Sequence, residues 1–234
     1  MRSRIDSALA VLAEAARLQP AAFSTSFGAE DMVLLDLIRR HGLPISIFTL
    51  DTGRLPEETY RLMQKVDQRY GRCFSVYFPD AQALQRLVAA DGANGFYESV
   101  DKRKACCAVR KTEPLGRALA GKRAWVTGLR AGQSVTRARL AAREHAAAYG
   151  VAKFSPLHDW TEAEVWAYLS AEGVPYNELH DRLYPSIGCA PCTRAITAGE
   201  DIRAGRWWWE RPESRECGLH GGKPNVVEIK EYAG

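Results

Sequence analysis

The groups in this chain best suited to chemistry are its thiols. There are six cysteines, Cys73, Cys106, Cys107, Cys189, Cys192 and Cys217. Cys106-Cys107 and Cys189-Ala190-Pro191-Cys192 together offer four thiolates, the donor set of a tetrahedral zinc site or of an iron–sulfur cluster. The adjacent pair discriminates between them. Neighbouring residues point in different directions, which is awkward for two bonds to one zinc, whereas a cubane offers each sulfur its own iron corner. The competing reading makes Cys106 and Cys107 helix-core residues and Cys189 with Cys192 a redox disulfide; the glycine- and charge-rich surroundings of all four weigh against it. Cys217 stands in Glu216-Cys217-Gly218-Leu219-His220, followed by Gly221-Gly222-Lys223. Flexible, polar and basic neighbours allow a thiol to be accessible and ionised, the two properties of a sulfur nucleophile. Cys73 is the contrast, because Cys73-Phe74-Ser75-Val76-Tyr77-Phe78 reads as a buried strand.

Two loops suit a nucleoside. Ser24-Thr25-Ser26-Phe27-Gly28-Ala29-Glu30-Asp31 lies between an expected strand and an expected helix, and its small residues allow close approach of a phosphate to a helix N-terminus. It lacks the Gly-Lys-Ser/Thr ending of a P-loop, and Glu30 and Asp31 disfavour a polyphosphate. Leu50-Asp51-Thr52-Gly53-Arg54 repeats the strand-end placement, although Asp51 and Gly53 would also serve a plain turn. Lys111, Arg130, Arg137, Arg203 and Arg206 are the cations of interest, each of which alone reads as a solvated surface charge. Lys111 follows Cys107 by one α-helical turn and so shares its face; Arg203 and Arg206 are three apart in an expected helix. Arginine forks match sulfate and phosphate oxygens. Trp207, Trp208 and Trp209 follow, and an indole can stack on adenine or simply pack the tail onto the sheet.

The elements that must position these groups alternate. Apolar, β-branched or aromatic runs predict strands over 21–27, 45–50, 73–78, 124–128 and 152–156. Helical periodicity predicts helices over 31–41, 57–70, 81–90, 104–120 and 161–172, after an amphipathic first helix. Pro56 and Gly71 bracket one of them, and Thr161 with Glu164 forms a capping box at another. Strand–helix alternation predicts an α/β fold with a mostly parallel sheet flanked by helices. From Asn177 onward the pattern gives way to Gly, Pro, Cys, Trp and charge. The expectation is one domain over residues 1–234, with 177–234 a cysteine- and tryptophan-rich C-terminal extension folded back over the end of the sheet.

Composition agrees with a single globular domain: 234 residues, 46% hydrophobic and 26% charged. Asp6, Glu14 and Arg17 interrupt the alanine-rich start, which argues against a signal peptide, and no apolar run approaches the roughly 20 residues of a membrane span. A cytoplasmic protein is expected, with no membrane and no nucleic-acid partner, since a net charge of +4 is modest. The basic residues nonetheless crowd 102–111, 130–143 and 203–215, as an anionic small molecule would require. In a reducing compartment, six cysteines point to metal binding or redox chemistry rather than structural disulfides.

Taken together, the cysteine pair with Cys189-x-x-Cys192 and the terminal Glu-Cys-Gly-Leu-His resemble the assimilatory adenylyl-sulfate reductases, within the wider family that includes phosphoadenylyl-sulfate reductases. The resemblance runs from the Ser24–Asp31 loop to His220. It implies an adenine-nucleotide α-hydrolase-like fold. It also implies a 4Fe-4S cluster on Cys106, Cys107, Cys189 and Cys192, and Cys217 as nucleophile. Lys111, Arg203 and Arg206 match positions that hold the phosphosulfate, while Ser24, Ser26, Leu50, Thr52, Gly128, Arg137, Trp207 and His220 match positions around the nucleotide. The implied reaction is reduction of adenosine 5′-phosphosulfate to sulfite and AMP through an enzyme S-sulfocysteine, with thioredoxin as reductant; a homo-oligomer is left open. The rivals are a reductase of the 3′-phosphorylated substrate, whose members generally lack the cluster cysteines, a tRNA-thiolating enzyme, whose Ser-Gly-Gly-x-Asp-Ser loop is missing here, and a zinc-stabilised nucleotide-binding module.

Overall fold

The computed structural model describes residues 1–133, 140–211 and 214. Arg137, Cys217 and His220 lie outside the described residues. The strands are β1 (Ala21–Thr25), β2 (Ile45–Leu50), β3 (Phe74–Tyr77), β4 (Ala124–Val126), β5 (Arg143–Ala146) and β6 (Val151–Phe154). They form one sheet in the order β3-β2-β1-β4-β6-β5, parallel throughout except for β5 against β6. The helices are α1 (Arg2–Arg17), α2 (Ala29–Arg40), α3 (Glu57–Tyr70), α4 (Ala81–Asp91), α5 (Val100–Cys107), α6 (Glu113–Leu119) and α7 (Glu162–Ala171).

The central strands are buried on both faces, so they read as unbroken apolar runs. Ala21 and Phe23 of β1 and Ala124 and Val126 of β4 pack with α1, α2, α3 and α7 on one side. Ala22 and Trp125, the intervening residues, pack with Leu115, Ala118 and Leu119 of α6 on the other. Sequence punctuation operates as expected at two helices: Pro56 and Gly71 cap α3, Gly71 with φ 73°, and Thr161 and Glu164 close the capping box of α7. The sequence pattern missed β5. Its residues Arg143-Glu144-His145-Ala146 are polar and largely exposed, because an antiparallel edge strand is held by its ladder to β6 rather than by an apolar face. Expected helix 104–120 is three pieces, α5, a π-helical segment over Ala108–Thr112, and α6. Among the described residues, no helix is long and apolar enough to cross a membrane.

The helical layer is tied together by one buried carboxylate. Asp36 of α2 accepts hydrogen bonds from Tyr70 Oη of α3 at 2.7 Å and Tyr168 Oη of α7 at 2.6 Å. Arg40 lies 3.4 Å away. Burial beside this carboxylate raises both phenols above their ordinary pKa. Removing the acceptor strands a hydroxyl on the buried Tyr168 and leaves the arginine without one of its partners. Asp36→Ala should therefore lower the unfolding free energy by about 3 kcal/mol, measured by urea denaturation, with Asp36→Asn losing less. Equal losses for the two variants would show that the hydrogen bonds to this carboxylate are not what binds the layer.

Candidate functional site

The chain runs from β1 outward through β2 to β3, then returns to place β4 on the other side of β1. Connections leaving the carboxyl ends of β1 and β4 thus diverge, and in open α/β sheets a ligand crevice lies at such a point. A cavity of about 600 Å³ opens there. Ser24, Ser26, Leu50, Thr52 and Gly128 line it from the strand ends, and Lys111, Arg203, Arg206 and Trp207 from the segments that fold over them. These are nine residues expected at the site, brought together from across the sequence.

The hydroxyls and amides of these loops have partners within the chain. Ser26 donates both its N–H (2.6 Å) and its Oγ–H (2.8 Å) to the Asp31 carboxylate, so the loop closes on its own acid. Phe27 turns through φ 58° to allow this, which ends the strand at Thr25 rather than 27. Ser24 Oγ accepts from the indole N–H of Trp125 at 2.8 Å. A Cβ on Gly128 would fall 2.1 Å from Asp31 Oδ1, so glycine is required for the end of β4 to meet that carboxylate. Asp51 serves the turn, accepting from Gly53 N at 2.8 Å and from Tyr60 Oη at 3.0 Å, while Thr52 Oγ1 reaches Cys189 Sγ at 3.3 Å.

Cations form the opposite wall. Arg206 is buried; its Nη1 approaches Ser186 Oγ and the Ile187 carbonyl, both at 3.3 Å, and its guanidinium occupies the space a side chain at Gly188 would need. The helix expected through Arg203 and Arg206 does not form. Residues 202–205 make a turn and Arg206 pairs with Thr193 in an antiparallel bridge, because Gly205 packs against the Arg194 backbone too closely for any side chain. Trp207 is buried with the guanidinium carbons of Arg103 and Arg206 4.8 and 4.6 Å from its ring centre. Trp208 is the more exposed neighbour, and Trp209 packs with Phe96 and Tyr97. Arg130 is no open cation either: its Nε donates to Glu30 Oε1 at 2.7 Å.

Cys106, Cys189 and Cys192 gather with Phe96, Trp207 and Trp209 in one apolar cluster beside this wall. Cys107 is half-buried at the end of α5, and Cys73 lies apart, packed on the sheet core. The described cysteines are thiols. Burial pushes the Cys106 thiol up, with Arg110 and Lys111 pulling it partly back, and pushes Cys192 up to about 12, Cys189 adding to the effect and Lys111 and Arg206 opposing it. Arg110 and Lys111 belong to the π-helical segment, which directly follows Cys107. Buried thiols can ionise only where charge compensates them, and Arg110, Lys111 and Arg206 supply it, so the nest suits a thiolate-bound metal centre of net negative charge. Among the described residues, no three Cys, His, Asp or Glu side chains are placed to share one metal ion. Cysteine thiolates are the donors of an iron–sulfur cluster as they are of zinc, and three of the four expected ligands lie in this one group.

Residues 20–195 match the family model described as the phosphoadenosine phosphosulfate reductase domain. The chain belongs to this reductase-domain family. It is 60% identical over 219 residues to an adenosine 5′-phosphosulfate reductase of Allochromatium vinosum, covering 93% of this chain and 86% of that protein. It is 51% identical over 201 residues to one of Neisseria meningitidis serogroup B, covering 86% and 82%. Among solved structures it resembles a phosphoadenylyl-sulfate reductase of Candida auris in a phosphate complex, with TM-score 0.69, 30% identity, and coverage of 81% of this chain and 90% of that one. A Candida glabrata FMN adenylyltransferase, with TM-score 0.57, 17% identity, and 92% and 76% coverage, shares the fold alone. The fold is thus the adenine-nucleotide α-hydrolase-like one expected.

Two buried charged residues beside the cavity, Arg110 and Asp31, have surroundings that the sequence does not show. Arg110 is buried between the loops, donating from Nη1 to the Thr52 carbonyl at 2.6 Å; its only signal was its place in the basic run 102–111. Asp31 was read as a charge repelling polyphosphate, but it is a buried acid. Burial outweighs its hydrogen bonds from Ser26 and lifts its pKa from 3.8 to about 6. A carboxyl whose folded pKa is raised destabilises the folded state as it ionises, so stability should fall as pH rises from about 4 to about 6 and level off above. Asp31→Asn should remove that component, becoming more stable relative to wild type by about 1 kcal/mol between pH 5 and pH 7 in paired denaturant titrations. A difference constant with pH would show that Asp31 ionises normally.

Proposed function

We propose that this protein reduces adenosine 5′-phosphosulfate to sulfite and AMP in cytoplasmic sulfate assimilation, with Cys217 as nucleophile and thioredoxin as reductant. The observation that carries the reading is the joining of a nucleoside-sized cavity at the β1/β4 divergence, a wall of Lys111, Arg203 and Arg206, and a nest of buried thiols behind that wall. The relatives named adenosine 5′-phosphosulfate reductase support the substrate. The complete set Cys106, Cys107, Cys189 and Cys192, which reductases of the 3′-phosphorylated nucleotide generally lack, counts against that nucleotide as preferred substrate.

In this mechanism Ser24, Leu50, Thr52 and Gly128 bound the nucleoside, and Lys111, Arg203 and Arg206 face the phosphosulfate. The Cys217 thiolate attacks the sulfate sulfur; the bond from that sulfur to the bridging oxygen breaks, and AMP leaves with the electron pair. The cations offset charge on the departing phosphate and on the sulfuryl oxygens. A thioredoxin thiolate then attacks Cys217 Sγ, sulfite departs, and the second thioredoxin thiol resolves the mixed disulfide, so both electrons come from thiols. Cys106, Cys107, Cys189 and Cys192 would hold a 4Fe-4S cluster, whose contribution is a fixed charge and scaffold beside Lys111. Thr52 and Arg110, in contact with Cys189 and with Cys106, hold two of these sulfurs in place.

Anaerobically purified protein should be brown and contain about four irons and four acid-labile sulfides per chain. One zinc and no sulfide would overturn the cluster assignment. Wild-type protein given substrate without thioredoxin should gain the mass of one SO₃ on the peptide containing Cys217, and reduced thioredoxin should release it as an equal amount of sulfite. Cys217→Ser should keep the colour and bind AMP but lose nearly all turnover, because a serine hydroxyl is hardly ionised at neutral pH. Substantial turnover in that variant, or an adduct on any other cysteine, would sink the mechanism.

A further inference from the structure

The most buried side chain of α5 belongs to neither cysteine. Arg103, one turn ahead of Cys106 and Cys107, is 0% exposed. Its partner, Glu210, comes from 107 residues away, with Arg103 Nε donating to Oε1 and Nη2 to Oε2, both at 2.8 Å. The Glu210 side chain is 2% exposed, so the whole pair is withdrawn from water. Arg103 Nη2 also donates to the Ser214 carbonyl at 2.6 Å, and the guanidinium lies over the Trp207 ring. One guanidinium therefore grips the segment from Trp207 to Ser214 at three points.

That segment is bonded in turn to the second pair of cysteines. Trp207 N donates to the Cys192 carbonyl at 3.2 Å, and the residues flanking them, Arg206 and Thr193, form the bridge already described. Glu210 N donates to the Trp207 carbonyl at 2.8 Å, which holds the carboxylate in the turn that faces α5. A buried ion pair is a poor source of net stability, since apolar residues of similar volume often do as well; what it can supply is register. Here the register is that of a segment against a helix, and Cys217 follows Ser214 by three residues, a tether of about 10 Å at full extension.

We propose that the Arg103–Glu210 pair is a positioning device: it fixes the segment leading to Cys217 against the helix that carries Cys106 and Cys107, so that attack on the substrate depends on it. Arg103 and Glu210 touch no reacting atom in this scheme. The inference rests on the reading of Cys217 as nucleophile.

The test compares wild type with Arg103→Lys, which keeps the charge but not the two-pronged fork, and with the double variant Arg103→Met, Glu210→Met, which replaces the pair by apolar volume. Three quantities are measured: the single-turnover rate of SO₃ transfer to Cys217 at saturating substrate, the AMP dissociation constant, and hydrogen-exchange protection of the amides of Trp207 and Glu210. Expected for both variants are a transfer rate lower on the order of 10²-fold, AMP affinity within about threefold of wild type, and faster exchange at those two amides. Should the double variant not fold, Arg103→Lys alone decides. A folded variant with wild-type transfer rate overturns the proposal, and so does a rate loss matched by an equal loss of AMP affinity, which would mark a structural role for the cavity as a whole. If wild type itself forms no adduct on Cys217, the functional reading fails instead, and unchanged exchange at Trp207 and Glu210 in the variants would then overturn the positioning role separately.

Discussion

Two strands that lie side by side while their connections depart in opposite directions leave a gap that neither connection can cover. In this chain β1 and β4 are those strands, and every feature of the site depends on that gap. The end of β1 places Ser24 and the first turn of α2 places Asp31 on one side of it, the residues just past β4 place Gly128 on the other, and Gly128 is what lets the Asp31 carboxylate bridge the two. The later half of the chain then folds over the opening and brings its cations with it.

Charge is distributed around the cavity in a consistent way. Acids are near the strand ends: Asp31 is turned inward on Ser26, and Glu30 is neutralised by Arg130. Lys111, Arg203 and Arg206 stand across from them, and two of these also face the thiols. A low-dielectric setting magnifies both halves of this arrangement, since it strengthens the pull of a cation on a developing anion and raises the penalty on a thiolate lacking a compensating charge. The buried thiols and the substrate cavity consequently share their cations, and Lys111 belongs to both.

The cysteines were the most legible part of the site. Their spacing pairs Cys106-Cys107 with Cys189-x-x-Cys192, and the structure places Cys106, Cys189 and Cys192 within one cluster. The five expected strands and six expected helical regions were legible for the same reason, because burial on one or both faces imposes a period on consecutive residues. Where no face is buried the period vanishes, and β5 went unseen. The break in 104–120 was hidden differently: a π-helical turn leaves the composition of a helix unchanged and alters only which residues share a face.

The sequence by itself determined the alternation of strands and helices, the caps of α3 and α7, the thiol inventory and the family, because each of these is written in neighbouring residues or in short motifs. Only the tertiary structure decided what each polar group meets. Ser26 was equally suited to a phosphate and to Asp31, and it is the burial of Asp31 under Gly128 that settles its donors on the acid. Arg110 and Arg103 looked like members of a solvated basic run, yet both are buried, the second against a glutamate 107 positions away. Hydrogen bonds and ion pairs act over a few ångströms of space and carry no signature along the chain, so their partners become known only when the fold brings them together.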